Sequence, residues 1–395
     1  MNARLDLGLL GFDRGAQVAV RRALLPLREG EVLEVVGHAP DLLVHLRAFA
    51  RAEGHGYRDG DAPHTATLVS GASDARRRAG ATRAGRAGPD GVAEHAEATW
   101  GLAARGAEVQ AGGPRFDFAL ADKDLLWCDD AGGMYRAAVA AQWNPDTAIP
   151  WDAPRTHPDE VEDALVQVLT YLIENETAAL LVPARFCAQV HPHFREVMQL
   201  LAIQTADEAR HIEVFTRRAL LARRELGLST TGGQASLKTL LDEPDFELAS
   251  FLLSVLGEGS FVHLLGFLCQ HAPDVCTAEI MRLAAVDEAR HVAFGLAHLM
   301  RHAQRDATLL GRLAAAIERR HDALRHTAGL NEEVFDALVV LAAGGFAPDA
   351  LARGHAAVQT LVGQMDAGRR QRLRRLGFDD SRAAALSALH TRNFM

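Results

Sequence analysis

The chain has 395 residues, a formal net charge of −9 and 48% hydrophobic residues, enough for two or three domains and a large core. The negative balance gives no reason to expect nucleic acid as a partner, and no charge-free apolar run of ~18 residues reads as a membrane span. With no signal-like apolar run near Met1, and four cysteines (Cys128, Cys187, Cys269, Cys276) forming no CxxC pair, a soluble cytoplasmic protein with buried thiols is expected.

Residues 1–70 read as a small α/β module: a strand at 6–10, a helix at 17–27, an alternating strand at 31–36 (EVLEVV), a helix at 42–52 and a strand at 65–70. Residues 71–98, rich in Gly, Ala and Arg with almost no large apolar side chain, read as a flexible linker. Residues 99–157 are an irregular lead-in whose Trp127, Trp143 and Trp151 suit packing on the domain that follows. Residues 158–303 are helical almost throughout, in segments 158–190, 193–225, 245–271 and 274–303, broken at Pro192, at the glycine-rich 227–233 and at Pro273. The first and third junctions are short, as antiparallel neighbours require, and the middle one is long enough to cross a bundle. Residues 304–395 form a helical extension, with helices near 306–326, 331–343, 349–366 and 371–390, which either covers the site or forms a homodimer interface. The fold class is mainly α: a four-helix bundle with extra C-terminal helices, preceded by a small α/β domain.

The pentapeptide Asp-Glu-Ala-Arg-His occurs twice, at 207–211 and 287–291. In each copy a Glu and a His (Glu208 and His211; Glu288 and His291) are spaced i, i+3, which puts both on one helix face. Two such pairs on facing helices, each joined by a Glu from a further helix, make a carboxylate-bridged two-metal site. In the first half Glu174 and Glu176 are the candidates. Position 176 falls on the apolar face of Val168, Leu169, Leu172, Ile173, Ala179, Leu180 and Pro183, where a carboxylate needs a partner, so Glu176 is preferred. In the second half Glu258 interrupts FLLSVLGEGSFVHLLGFL on the face of Phe251, Val255, Val262 and Leu265, between two glycines that permit a local helix irregularity. Glu176 and Glu208 are 32 residues apart and Glu258 and Glu288 are 30 apart, spacings that return two antiparallel helices to the same height. Four carboxylates and two imidazoles form a mixed set suited to iron or manganese. Metal-bound histidines usually give their second ring N–H to a carboxylate, and the reading pairs Asp207 with His291 and Asp287 with His211.

Glu176, Glu208-x-x-His211, Glu258 and Glu288-x-x-His291 together resemble the dioxygen-activating di-iron carboxylate proteins of the ferritin-like superfamily, over roughly residues 160–300. Members include bacterial multicomponent monooxygenases, the small subunit of ribonucleotide reductase, acyl-carrier-protein desaturases and arylamine N-oxygenases. The resemblance implies a ferritin-like bundle holding two iron ions, or iron with manganese, in an oxidoreductase. Such an oxygenase or oxidase uses O2 to attack a C–H, N–H or amine group of a small organic substrate. Ferroxidase or iron-handling chemistry is the alternative. Phe215 stands where the reductase has its radical tyrosine, and Ala284 where N-oxygenases place an additional His. Val262 and Phe261 stand where the hydroxylases and desaturases keep a threonine. The substrate pocket is therefore expected to be apolar and walled by Phe215, Phe261 and Val262. No flavin or iron–sulfur motif appears, so reducing equivalents are expected from an electron-donor protein or from the substrate. The N-terminal module is similar to small sulfur-carrier proteins, but Gly11-Phe12-Asp13-Arg14 replaces their Cys-Pro, which favours a docking or regulatory role.

Overall fold

The computed structural model describes residues 3–72, 80–325 and 332–391, in two compact units: Met1–Gly91 with Glu97–Phe116, and Val92–Ala96 with Asp117–Met395. In the first unit, strands β1 (Ala3–Asp6), β2 (Val32–Val36), β3 (Gly56–Asp59) and β4 (Thr65–Val69) form a sheet in the order β1-β2-β4-β3. The β1–β2 pair is parallel and the other two are antiparallel. Helices α1 (Ala16–Leu24) and α2 (Leu42–Ala52) give Val20 and Leu46 to a core with Leu33, Val35, Ala66 and Leu68. The first strand lies earlier than the expected 6–10, because the chain turns at Gly8, whose φ is 51°. Strand β3 escaped the sequence reading because its residues are mostly exposed and carry no apolar alternation. Part of the expected linker is ordered by backbone pairing: β5 (Thr82–Arg83) pairs antiparallel with β6 (Glu108–Val109), and Ala84 beside it is buried. Residues 73–79 of that stretch lie outside the described residues.

The second unit begins with α3 (Lys123–Leu126), α4 (Ala131–Ala140) and α5 (Pro145–Ala148), in the region expected to be irregular. Four long helical runs follow and form a ferritin-like bundle: α6 (Asp159–Cys187), α7 (Arg195–Ala219), a composite third run, and α11 (Val275–Ala303). The third run joins α9 (Phe246–Ser250), a π-helical stretch (Phe251–Glu258) and α10 (Gly259–Gln270). Helix α8 (Thr231–Leu241) sits in the crossover; its Thr-Gly-Gly start reads as loop in sequence, yet Thr230 Oγ1 caps it by accepting from the Gly233 amide at 2.9 Å. Asp274 caps α11 in the same way, accepting from the Thr277 amide at 2.7 Å.

Helix α6 and the Phe246–Gln270 run are long and apolar enough, by length and composition, to cross a membrane, but most of each is buried inside the protein, as helices apolar nearly all round require. Leu165, Leu169 and Leu172 of α6 meet Phe215 of α7, Leu265 of α10 and Met281 of α11 in the core, each such side chain contributing about 1.5–3 kcal/mol by burial. The extension comprises α12 (Leu309–Leu324), α13 (Glu332–Ala343), α14 (Pro348–Leu376) and α15 (Asp380–Thr391). Leu338 of α13 and Val358 and Leu361 of α14 join the same core. The break expected between 366 and 371 is absent: α14 runs through it and stops at Gly377, whose φ of 116° suits glycine alone.

The π stretch widens the third run over the eight residues that end at Glu258. Arg372 of α14 lies over it and donates from Nε to the Val255 carbonyl at 2.6 Å. Gly259 keeps regular helical angles, so it serves space rather than conformation: a Cβ there would fall on the Arg372 guanidinium. Gly295 of α11 plays the matching part on the other side, since its Cβ would lie 2.6 Å from the Ser254 Cβ.

Candidate metal centre

All six side chains picked out by the repeat and its apolar neighbours are buried, at 4% exposure or less. Glu176 comes from α6, Glu208 and His211 from α7, Glu258 from the end of the π stretch, and Glu288 and His291 from α11. Glu174, two positions from Glu176, is half-buried and belongs to no cluster of candidate metal-binding groups among the described residues. Two four-residue groups form. Glu176, Glu208, His211 and Glu288 make one, Glu208, Glu258, Glu288 and His291 the other, and in each the donor atoms all lie within 4.8 Å of one another. Glu208 and Glu288 belong to both, so the two groups share two carboxylates.

The donor atoms themselves test the fit. Glu208 and Glu288 have both oxygens, Glu176 its Oε1, Glu258 its Oε2, and His211 and His291 their Nδ1, buried without a hydrogen-bond partner. Buried polar atoms are normally satisfied, and here the unsatisfied ones converge. His211 Nδ1 is 3.3 Å from Glu208 and 3.5 Å from both Glu176 and Glu288, and His291 Nδ1 is 3.0 Å from Glu208. The set fits two divalent cations with mixed nitrogen and oxygen ligation.

Electrostatics without cations follow from the same crowding. Burial, with the neighbouring Glu208 charge, pushes the Glu176 carboxyl up to about 8, and burial also holds Glu258 well above the ordinary carboxylate range. Burial opposes protonation of His211, yet Asp287 and the close glutamate carboxylates raise its pKa well above the usual value. His291 behaves alike, with the Glu208 charge first among the groups that raise it. Glu176 and Glu258 are thus pushed toward their neutral forms and the two imidazoles toward their charged forms, and bound cations would displace such protons.

A crossed pair of acids orients the rings. His211 Nε2 lies 3.1 Å from Asp287 Oδ2, and His291 Nε2 lies 3.2 Å from Asp207 Oδ2. With each Nε2–H donated to the acid of the opposite pentapeptide, each Nδ1 lone pair is left facing the glutamates. Arg210 bridges the acids, donating from Nη2 to Asp207 at 2.6 Å and to Asp287 at 2.7 Å, and Arg290 donates to Asp287. Burial opposes ionisation of Asp287, but His211, Arg210 and Arg290 hold its carboxyl well below its ordinary value.

Three further residues touch this arrangement and were missed in the sequence. Gln204, one turn before Glu208 on the same face, donates from Nε2 to Glu258 Oε1 at 2.9 Å. Gln142 donates to Asp207 at 2.7 Å, and Trp143 Nε1 donates to Asp287 at 2.8 Å, with the Arg210 guanidinium 4.6 Å from the Trp143 ring centroid. Position 204 was open to the face test that found Glu176. Gln142 and Trp143 lie where no periodicity marks them, and only the tryptophan hinted at packing.

The three residues expected to wall the pocket lie in different surroundings. Phe261 lines an apolar crevice together with Glu176, Glu258, Glu288, Leu237, Leu240 and Leu252. Phe215 is wholly buried in the core, its ring 6.1 Å from that of His211, and Val262 is half-buried; neither lines the crevice. Position 262 is one residue, or about a quarter turn, beyond Phe261 and so looks elsewhere.

No protein-family model matches the chain, and no curated protein matches it. Solved structures similar to it include variants of an R2-like ligand-binding oxidase. One, with an anaerobically reconstituted Mn/Fe cofactor, has 14% identity and a TM-score of 0.46, covering 61% of this chain and 92% of that one. Another, with an aerobically reconstituted Fe/Fe cofactor, has 15% identity and a TM-score of 0.44, covering 62% and 92%. The reading of the centre rests on its own donor geometry.

Proposed function

We propose that Glu176, Glu208, His211, Glu258, Glu288 and His291 ligate two iron ions, or one iron and one manganese, in an oxidoreductase that uses O2 to oxidise a small organic substrate. The observation that carries this is the sharing of Glu208 and Glu288 by two otherwise separate four-donor groups. Bound and reduced, such a pair supplies electrons and open coordination positions for O2 chemistry. The chain's own contribution is to hold and shield. Asp207 and Asp287 fix the tautomer of the two imidazoles, Gln204 fixes one oxygen of Glu258 and leaves the other free, and the apolar wall around Phe261 excludes water. Electrons come from a partner protein or from the substrate, and the N-terminal α/β unit, without a Cys-Pro, acts as a docking or regulatory module.

Anaerobic loading with Fe(II), counting of bound metal, then stopped-flow mixing with O2 tests the reading. Two irons per chain and a transient visible absorption band are expected. Absence of stoichiometric binding, or binding with no reaction toward O2, overturns it.

A further inference from the structure

The crevice beside Glu176, Glu258 and Glu288 also exposes Arg320 of α12 to its interior. Arg320 is 8% exposed, and its Nη2 donates to Ser236 Oγ at 2.7 Å. Among the described residues no carboxylate pairs with it, which sets it apart from the still more deeply buried Arg218, paired with Glu162 at 2.7 Å and Asp274 at 2.6 Å. Burial pushes the Arg320 pKa down to about 10, so the side chain still carries its charge at neutral pH. A buried guanidinium without a counter-ion is a costly arrangement. Its fork of N–H donors matches a carboxylate in two-point geometry.

Apart from Asn175, whose Nδ2 donates to the Tyr171 carbonyl at 2.7 Å, the rest of the wall is apolar, with Leu237 and Leu240 of α8, Leu252 of the π stretch and Phe261 of α10. The cavity is about 30 Å3, and about 450 Å3 when its open mouth is counted. The larger figure, which includes space open to solvent, lies in the range of a small-ligand site.

We propose that this crevice binds an apolar monocarboxylic acid as substrate, with Arg320 taking the carboxylate and the leucine and phenylalanine wall taking the hydrocarbon body beside the metal-binding glutamates. This deepens the oxidase reading above and rests on it for what happens to the bound acid, though not for the binding itself.

Calorimetric titration of straight-chain acids from acetate to decanoate, and of the matching primary alcohols, into the full chain, metal-free and Zn(II)-loaded, tests this. At least one acid is expected to bind saturably, with its alcohol weaker by about tenfold or more, the loss expected when a charge-assisted pair becomes neutral. Arg320→Met should abolish that preference and Arg320→Lys should keep part of it, while bound metal per chain stays as in the parent. Saturable binding of no acid, equal binding of acid and alcohol, or tighter binding of inorganic phosphate than of any acid overturns the proposal. The acid-to-alcohol comparison on the parent chain decides even where a variant fails to fold. Metal binding without acid preference sinks this proposal alone, and acid preference without metal binding sinks the oxidase reading alone.

Discussion

Arg372 Nε donates to the Val255 carbonyl at 2.6 Å, so a side chain of the C-terminal extension pins the π turn that ends at Glu258. The extension therefore helps position a candidate ligand through the backbone of its helix. Arg372→Leu removes this bond and leaves a buried carbonyl unmet, a loss of about 1–3 kcal/mol. Urea unfolding should show that loss, and metal counting should show weaker occupancy of the site that uses Glu258. A variant with unchanged stability and full metal content would show that the turn holds its shape unaided.

Because Glu208 and Glu288 belong to both donor groups while Glu176 and Glu258 each belong to one, the variants should fall into two classes. Glu208→Ala or Glu288→Ala should lose both metals. Glu176→Ala or Glu258→Ala should retain about one per chain, and Glu174→Ala should retain both. Plasma mass spectrometry on anaerobically loaded protein reads the count, and equal losses at all four glutamates would contradict the shared-bridge arrangement.

Asp207→Asn and Asp287→Asn keep the shape of the acids but remove the charge that each ring N–H meets. Metal affinity is expected to fall about 10–100-fold in each, with little change in helicity by circular dichroism. Competition with a chromophoric chelator measures this, and affinities equal to the parent would assign the acids to holding Arg210 and Arg290 instead.

Arg218 predicts an acid sensitivity far from the centre. It pairs with Glu162 through two nitrogens at 2.7 and 3.0 Å and with Asp274 at 2.6 Å. Burial tends to raise both acids, but the Arg218 bonds, and the Thr277 amide at Asp274, leave both carboxyls lowered. For depressed acids the stabilisation is complete above the ordinary carboxylate pKa and is lost as pH falls through the lower folded values. Stability should therefore be flat near neutrality and decline below about pH 4. Arg218→Leu leaves Asp274 without its cation and Glu162 with only His157, 2.5 Å away, and should cost about 3–5 kcal/mol at pH 7. Its urea midpoint should then rise, or fall less steeply than the parent's, on acidification; parallel pH profiles for the two proteins would rule out this pairing as the cause.

The bundle and the donor set were legible because each rests on a rule with a short period. Four long helical runs and a repeated Glu-x-x-His expose themselves at three- and four-residue spacing, and an acid on an apolar stripe marks Glu176 and Glu258. What stayed hidden depends on contacts between distant segments. Arg372 and Val255 are 117 residues apart and Trp143 and Asp287 are 144 apart, and nothing local announces either pairing. The π stretch was half visible: the glycines beside Glu258 flagged an irregularity, but for the wrong reason, since Gly259 makes room for an arginine from another helix. The pocket residues failed for a similar cause, because a wall built by α8 and α12 cannot be read from the sequence around Glu258.

The crossed acids carry one more implication. Each pentapeptide presents a histidine whose orienting aspartate belongs to the other copy, so neither helical hairpin contains a finished half-centre. An isolated half would hold its glutamate and histidine with the ring free to turn. Tight cation capture would thereby depend on the two hairpins having met in the right alignment, and a misassembled chain would hold a redox ion more weakly.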